Sequence, residues 1–364
     1  MGKLNEFLHR ANEIESAINR LRPWRTLYNR VYYRIEGKIN SLKRSQLVGF
    51  YSFLYAPRSR YSEPSPEQKL FLRARIHPYP GLGHQVSVWI AGLLWARDLG
   101  IEYVGGKVTR NNDNLLALSD GSLEGIAPPK VVHVKLPATR DERSPEALLL
   151  LRESVRRARK RHPQAKAIVF SLALDNPRWN QIPAAREVRA AALTGAHGGD
   201  IVAKQNEDCP RVVLHIRRGD IGRSSVGRGS GVSRWLSESW YATVIAELRS
   251  LPQLSDCVFS VVSLGSPKDF PVLSRLPNVR LLLNRDESSD FKDFVAADVL
   301  VTAPSSFSFT AALASRGFVL APFPWWHAIP NEGRWFRVDL NGEFDMSRLA
   351  SSITRERETG RRIE

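Results

Sequence analysis

Apolar positions in the first forty residues recur at steps of three and four. Leu4, Phe7, Ala11, Ile14, Ile18 and Leu21 share one helical face until Pro23 interrupts it, and Leu27, Val31, Ile35 and Ile39 repeat the spacing in a second helix. A Pro- and Ser-rich stretch over 56–68 predicts a linker. Beyond it the pattern changes. Short apolar runs at 72–77, 101–106, 130–136 and 166–172 alternate with helical patterns, which predicts parallel strands covered by helices. The strongest of these helices spans 144–162, where Ser144 caps the first turn and basic residues crowd the last, as a helix dipole favours. A glycine-rich break is expected at 194–200. Strands then resume at 211–216, 257–263, 279–283, 298–303 and 317–322, with a helix over 237–250. The pattern predicts an α/β chain in three parts: a helical extension with its linker over 1–68, an α/β domain over 69–205 and a second over 206–364.

Charge separates the extension from the rest. The chain carries 53 Lys and Arg against 37 Asp and Glu, a formal charge of +16. Residues 1–60 alone hold 12 basic and four acidic side chains, so +8 of the excess sits there. Such an amphipathic pair of helices packs on the body or on a sister subunit in a homo-oligomer, or lies through residues 1–45 on an anionic membrane face. No run of about 18 apolar residues is present to span a bilayer. The start alternates charge and apolar residues too quickly for a secretory signal, which predicts a cytoplasmic chain, peripheral at the inner membrane face if the extension binds lipid. Two cysteines, Cys209 and Cys257, have no histidines at ligand spacing, and no metal site is expected. The excess of positive charge predicts an anionic partner. Because it concentrates in the extension rather than on a nucleic-acid module, nucleic acid is not the expected one.

Three expected strand ends carry polar chemistry. Strand 72–77 runs into Gly81, Gly83, His84 and Gln85 ahead of a helix, where glycines let a ligand approach backbone N–H groups and His84 and Gln85 supply donors. Read structurally, this is a tight strand-to-helix turn. Strand 211–216 ends in His215, Arg217, Arg218, Gly219 and Asp220. Alternation puts His215 and Arg217 on one side, facing a ligand whose phosphate oxygens a guanidinium can grip in a fork, and Arg218 on the other, bracing the fold. Asp220 and the nearby Glu238 are candidate bases, as is His84. Strand 298–303 stops at Pro304, and Ser305, Ser306, Phe307 and Ser308 open a helix whose hydroxyls and N–H groups suit a phosphate. The same serines also read as plain helix caps. No aspartate has another two positions away, so arginine and helix dipole would have to neutralise a leaving diphosphate without a metal.

Together, G-L-G-H-Q at 81–85, H-I-R-R-G-D at 215–220 and S-S-F-S at 305–308 resemble the metal-independent inverting fucosyltransferases, comprising the α1,2-, α1,6- and protein O-fucosyltransferase families. The likeness spans about 70–335. It implies a GT-B-like fold, two Rossmann-type domains with a cleft between them, here following the helical extension. It further implies a glycosyltransferase that needs no cofactor and moves L-fucose from a GDP-fucose donor to the hydroxyl of a glycan acceptor. By the resemblance Arg217 grips the β-phosphate, His215 lies near the nucleotide, and Ser305, Ser306, Phe307 and Ser308 line the pyrophosphate pocket. Asp290, 17 positions before Phe307, contacts guanine. Gly81, Gly83, His84 and Gln85 lie across the cleft near sugar and acceptor. This sequence departs from the families at His84, where Asn is common, and at Phe309 and Thr310, where many α1,2 enzymes have paired tryptophans. A transferase for another nucleotide-sugar, or a non-catalytic binder of anions or nucleic acid, are the competing readings. The basic, glycine-rich stretch 221–235 is expected to form a loop closing over the donor.

Overall fold

Ten strands and eight α-helices are built from the described part of the chain, residues 67–364 of a computed structural model except 112–113, 124–129, 138–142, 175–179, 206–209, 220, 222–233 and 360–364. The basic extension, Cys209, Asp220 and most of the glycine-rich loop lie outside the described residues.

The first sheet comprises β1 (Lys69–Arg75), β2 (Glu102–Gly105), β3 (Val131–Lys135) and β4 (Ala167–Ala173), with α1 (Leu82–Leu99) after β1 and α2 (Pro145–Arg161) before β4. All its pairings are parallel, in the order β2-β1-β4-β3. Ser144 caps α2 by accepting from the Ala147 N–H, as its sequence predicts. Two helices follow, α3 (Ala185–Thr194) and α4 (Gly198–Gln205). The chain breaks between them at Gly195, within the expected glycine break at 194–200, but α4 takes up the rest of that stretch. Gly198 and Gly199 occupy its first turn, where a helix tolerates glycine best, and Ile201 is buried beneath it.

The second sheet comprises β5 (Val212–Ile216), β6 (Phe259–Ser263), β7 (Val279–Leu283), β8 (Val299–Val301), β9 (Phe318–Pro322) and β10 (Trp335–Val338). It is likewise all parallel, in the order β10-β9-β8-β5-β6-β7. Its helices are α5 (Glu238–Ser250), α6 (Glu287–Ala296), α7 (Ser306–Ala314) and the C-terminal α8 (Met346–Thr359). β10 and α8 have no counterpart in the sequence reading. β10 is a four-residue edge strand inside an aromatic run, too short to show a period. From β5 the chain progresses one way to β7, and from β8 the other way to β10. The order therefore reverses between β5 and β8, and in open α/β sheets the crevice beyond the carboxyl ends at such a reversal is where ligands bind.

β5 alternates as its sequence predicts. Val212, Leu214 and Ile216 join the core under α5, while Val213 joins a second core with α6 and α7, and His215 packs beside it on Phe294 and Phe307. That second core also takes in Leu82, Val86, Trp89 and Ile90 of α1, so one continuous apolar cluster joins helices of both sheets. Both sheets belong to one compact unit, Ser62–Glu364.

Helix α1 is buried on nearly all sides rather than along one stripe, because it is wedged between the first sheet and α7. Two glycines permit the wedge. A Cβ on Gly92 would stand 2.8 Å from the Ala74 Cβ on the sheet side, and one on Gly83 would stand 2.2 Å from the backbone carbon of Ser306 on the other. The carboxyl end of α7 is held by two guanidinium groups. Arg334 donates to Ala312 O and Gly317 O, and Arg189 to Ala314 O and Ser315 O, placing positive charge at the negative end of the helix.

The Gly83 contact is backbone against backbone, so no side chain can swing aside. Gly83→Ala should therefore destabilise the fold by about 3 kcal/mol, read as a lowered urea midpoint at unchanged slope. A loss under about 0.5 kcal/mol would mean the two helices do not meet there.

Candidate functional site

The reversal point of the second sheet brings together the ends of β5 and β8. Arg217, the first residue beyond β5, donates from Nη1 to the Ser305 hydroxyl at 2.9 Å. Ser305 precedes α7 in the N-cap position, yet its side chain makes no capping bond to the helix, and it is 1% exposed. Its oxygen faces the arginine instead. Arg217 is thereby fixed across the mouth of α7, whose first turn carries the backbone donors and positive dipole end of a helix. Arg218 turns away and braces the loop, with its guanidinium 3.6 Å from the Trp235 ring centroid and bonds to the carbonyls of Arg217 and Leu236.

The other residues of the third motif divide. Ser306 is partly exposed at the first helical position, and its hydroxyl lies 3.0 Å from His327 Nε2. Phe307 packs in an aromatic cluster with Phe291, Phe294 and the edge of His215. Ser308 is fully buried, and its hydroxyl donates to the carbonyls of Ala303 and Ser305, so it shapes the turn from within.

The first motif reaches the same place from the other sheet. Gly83 touches Ser306 and Phe307, and its carbonyl accepts from Thr310. Gly81 caps α1 and its carbonyl accepts from the N–H groups of His84 and Gln85. Gln85 is buried and turned inward. Its amide bonds Pro78 O, Pro80 O and the Thr109 hydroxyl, and its carbonyl oxygen accepts from Thr109 N, which ties the turn before α1 to the loop after β2. The amino ends of α1 and α7 thus converge, two positive dipole ends whose mutual repulsion an anion between them relieves.

One candidate base among the described residues is not brought to this cluster. Glu238 opens α5, the helix packed on the opposite face of the second sheet, and its Oε1 accepts from the N–H groups of Val272 and Leu273 at 2.7 and 2.5 Å. Its carboxylate is committed to that turn. Asp220 lies outside the described residues. Asp290, in the first turn of α6, pairs with Arg285 at 2.9 Å, and Arg285 also bonds Asp293 at 2.7 Å. Burial lifts the Asp290 carboxyl to about 6, outweighing the pull of Arg285. The next residue, Phe291, packs on Phe307, which ties Asp290 to the α7 side of the sheet.

His327 is a site residue that the sequence reading missed. It is 3% exposed, stacked on Phe309 at 4.1 Å and hydrogen-bonded to Ser306. Burial, helped by charge on His84, lowers its pKa to about 3. Burial and the charge of Arg217 lower His215 to the same value. Both rings are neutral at pH 7, which spares the site further positive charge beside Arg217. The signal for His327 was present: F-P-W-W-H at 323–327 follows β9, a fourth strand end on the same edge of the sheet. Among the described residues no three His, Cys, Asp or Glu side chains gather to hold a metal ion, and no helix is long and apolar enough to cross a membrane.

No protein-family model matches this chain, and no curated protein matches it. Among solved structures, POFUT1 in complex with GDP aligns at a TM-score of 0.39 and 11% identity, over 70% of this chain and 96% of that one. A second crystal form with GDP aligns at 0.40 and 11%, over 71% and 99%. POFUT1 in complex with GDP-fucose aligns at 0.38 and 9%, over 70% and 96%. Likeness at this level carries neither site nor chemistry across.

The neutral state of His327 has a consequence for stability. In the unfolded chain it takes up a proton near pH 6.5, whereas the folded chain resists until about 3, so acid favours the unfolded state between these values. Between pH 7 and pH 5 the chain should lose roughly 2 kcal/mol that a His327→Phe variant keeps, measured as the difference between their urea unfolding free energies at the two pH values. Parallel pH dependence in the two proteins would mean the ring is charged in the fold.

Proposed function

We propose that this chain is an inverting glycosyltransferase of GT-B-like architecture, moving L-fucose from GDP-fucose to a glycan hydroxyl. The observation that carries the reading is the Arg217–Ser305 contact across the mouth of α7, at the reversal point of the strand order. A guanidinium and a helix amino end, fixed in advance, offer the positive charge that a departing diphosphate requires. Such donors stabilise the transition state more than the bound donor sugar, because charge on the diphosphate grows as the glycosidic bond breaks.

In this reading the acceptor oxygen forms its bond to the anomeric carbon as the bond from that carbon to the diphosphate oxygen breaks, a single displacement that inverts the centre. The electron pair leaves with the diphosphate toward Arg217 and the first turn of α7. The acceptor proton passes to a base. Glu238 is occupied by its own turn, which leaves His84, at the amino end of α1, and Asp220. Asp290 and its partner Arg285 offer an acceptor and a donor side by side for a nucleobase edge. The donor-side roles fall to Arg217, Ser306 and the α7 backbone, and the acceptor side to the turn before α1.

Thermal unfolding with GDP-, UDP- and ADP-sugars tests the reading, since a ligand bound only by the native state raises the midpoint by mass action. GDP-fucose should raise it and the others should not. Arg217→Ala should melt near the wild-type temperature in the absence of ligand yet lose about 3 kcal/mol of transition-state stabilisation, roughly a hundredfold or more in kcat/KM. Near-normal transfer by the folded variant would remove Arg217 from the mechanism.

A further inference from the structure

We propose that His327 is a positioning residue whose Nε2–H donates to Ser306 Oγ and so turns the Ser306 hydroxyl proton outward, toward an acceptor-only ligand atom such as a diphosphate oxygen. The inference rests on the donor-binding reading above and adds to it a residue from a fourth strand end.

The argument is one of tautomers. A neutral imidazole has one N–H donor and one bare acceptor nitrogen, and which is which follows from what each nitrogen faces. Nε2 faces the Ser306 hydroxyl at 3.0 Å, a group able either to give or to receive. Nδ1 is buried and has no hydrogen-bond partner among the described residues. Trp325 meets the same ring edge-on, its centroid 4.7 Å from that of His327, and the Trp325 Nε1–H is also buried and without a hydrogen-bond partner among the described residues. An indole nitrogen is only ever a donor. A proton on Nδ1 would therefore bury a second unpaired N–H within this pair of rings, whereas a bare Nδ1 leaves only an unpaired acceptor. Orphaned buried N–H groups are the rarer and more costly kind. The proton accordingly sits on Nε2.

A half-turn of the ring would put Cε1 in place of Nε2 and forfeit the bond to Ser306. The ring is stacked on Phe309 at 10° between planes and met edge-on by Trp325. The titratable group facing it from the neighbouring element is His84 of α1, whose charge further disfavours protonating His327. With Nε2–H donating, Ser306 Oγ is an acceptor toward the ring and its own proton is free for a ligand. Ser306 then joins Arg217 and the α7 backbone in a set of donors only, which suits an anionic oxygen and rejects a sugar hydroxyl acting as donor.

The test combines ring-nitrogen spectroscopy with a double-mutant cycle on GDP affinity. In chain labelled at histidine nitrogens, long-range proton–nitrogen spectra should show His327 protonated at Nε2, and its resonances should shift in Ser306→Ala; protonation at Nδ1 overturns the proposal without any ligand being needed. By titration calorimetry His327→Phe, which keeps the stacked ring, should weaken GDP binding roughly tenfold, as loss of one hydrogen bond to a charged group does. Ser306→Ala should do the same and the double variant no more than either. His327→Gln, whose amide N–H reaches the same oxygen, should recover most of the affinity. Effects that multiply in the double variant, affinity within twofold of wild type for His327→Phe, or no recovery with Gln, each overturn it. If the wild-type chain binds no GDP, the donor reading fails instead, and the nitrogen spectra still decide the tautomer.

Discussion

The structure depends on the contact of two helix amino ends. Gly83, in the first turn of α1, lies against the backbone of Ser306 and Phe307, in the first turn of α7, at a separation that admits no Cβ. Both helices present their positive dipole ends there, an arrangement that is unfavourable by itself. It is held by apolar burial behind it, where Val86, Trp89 and Ile90 of α1 share a core with Phe309, Ala311 and Ala312 of α7. Arg334 and Arg189 secure the far end of α7 through its carbonyls. The fold thus holds two positive helix ends together, and the anchoring groups lie at the opposite end of α7.

Charge at this mouth is rationed. Arg217 supplies a fixed cation drawn across α7, and the imidazoles of His215 and His327 are kept neutral by burial. Their work is steric and directional. His215 fills the space between β5 and the Phe294–Phe307 pair, and His327 addresses Ser306. Asp290 is shifted upward by the same desolvation, although Arg285 sits beside it. At Asp290 burial therefore outweighs pairing.

Much of this was legible in the sequence. The nine strands expected from apolar runs all formed, with ends shifted by up to three residues, because parallel strands covered by helices read as near-continuous apolar runs. Alternation along β5 correctly separated Arg217 from Arg218, since neighbours in an extended strand face opposite ways. Other features were not. The break expected at 194–200 falls at 195–197, but the glycines at 198–199 open a helix, because local composition cannot show that Ile201 will be buried. Gln85 and Ser308 looked like ligand donors, yet their neighbours in space are carbonyls and a hydroxyl that satisfy them internally. Glu238 lies close to the motif in sequence but on the far face of the sheet.

The sequence by itself determined the element types, their parallel alternation and the residue types available at each strand end, because these follow from periodicity and backbone chemistry within a few neighbouring positions. Strand order was decided only by the tertiary structure. Nothing local specifies that β8 pairs with β5, and it is that pairing which sets the ends of β5 and β8 side by side and Arg217 on Ser305. The same holds for His327 and for the approach of α1 to α7. Each depends on groups tens or hundreds of residues apart meeting at van der Waals distance, a condition set by packing and invisible to any window along the chain.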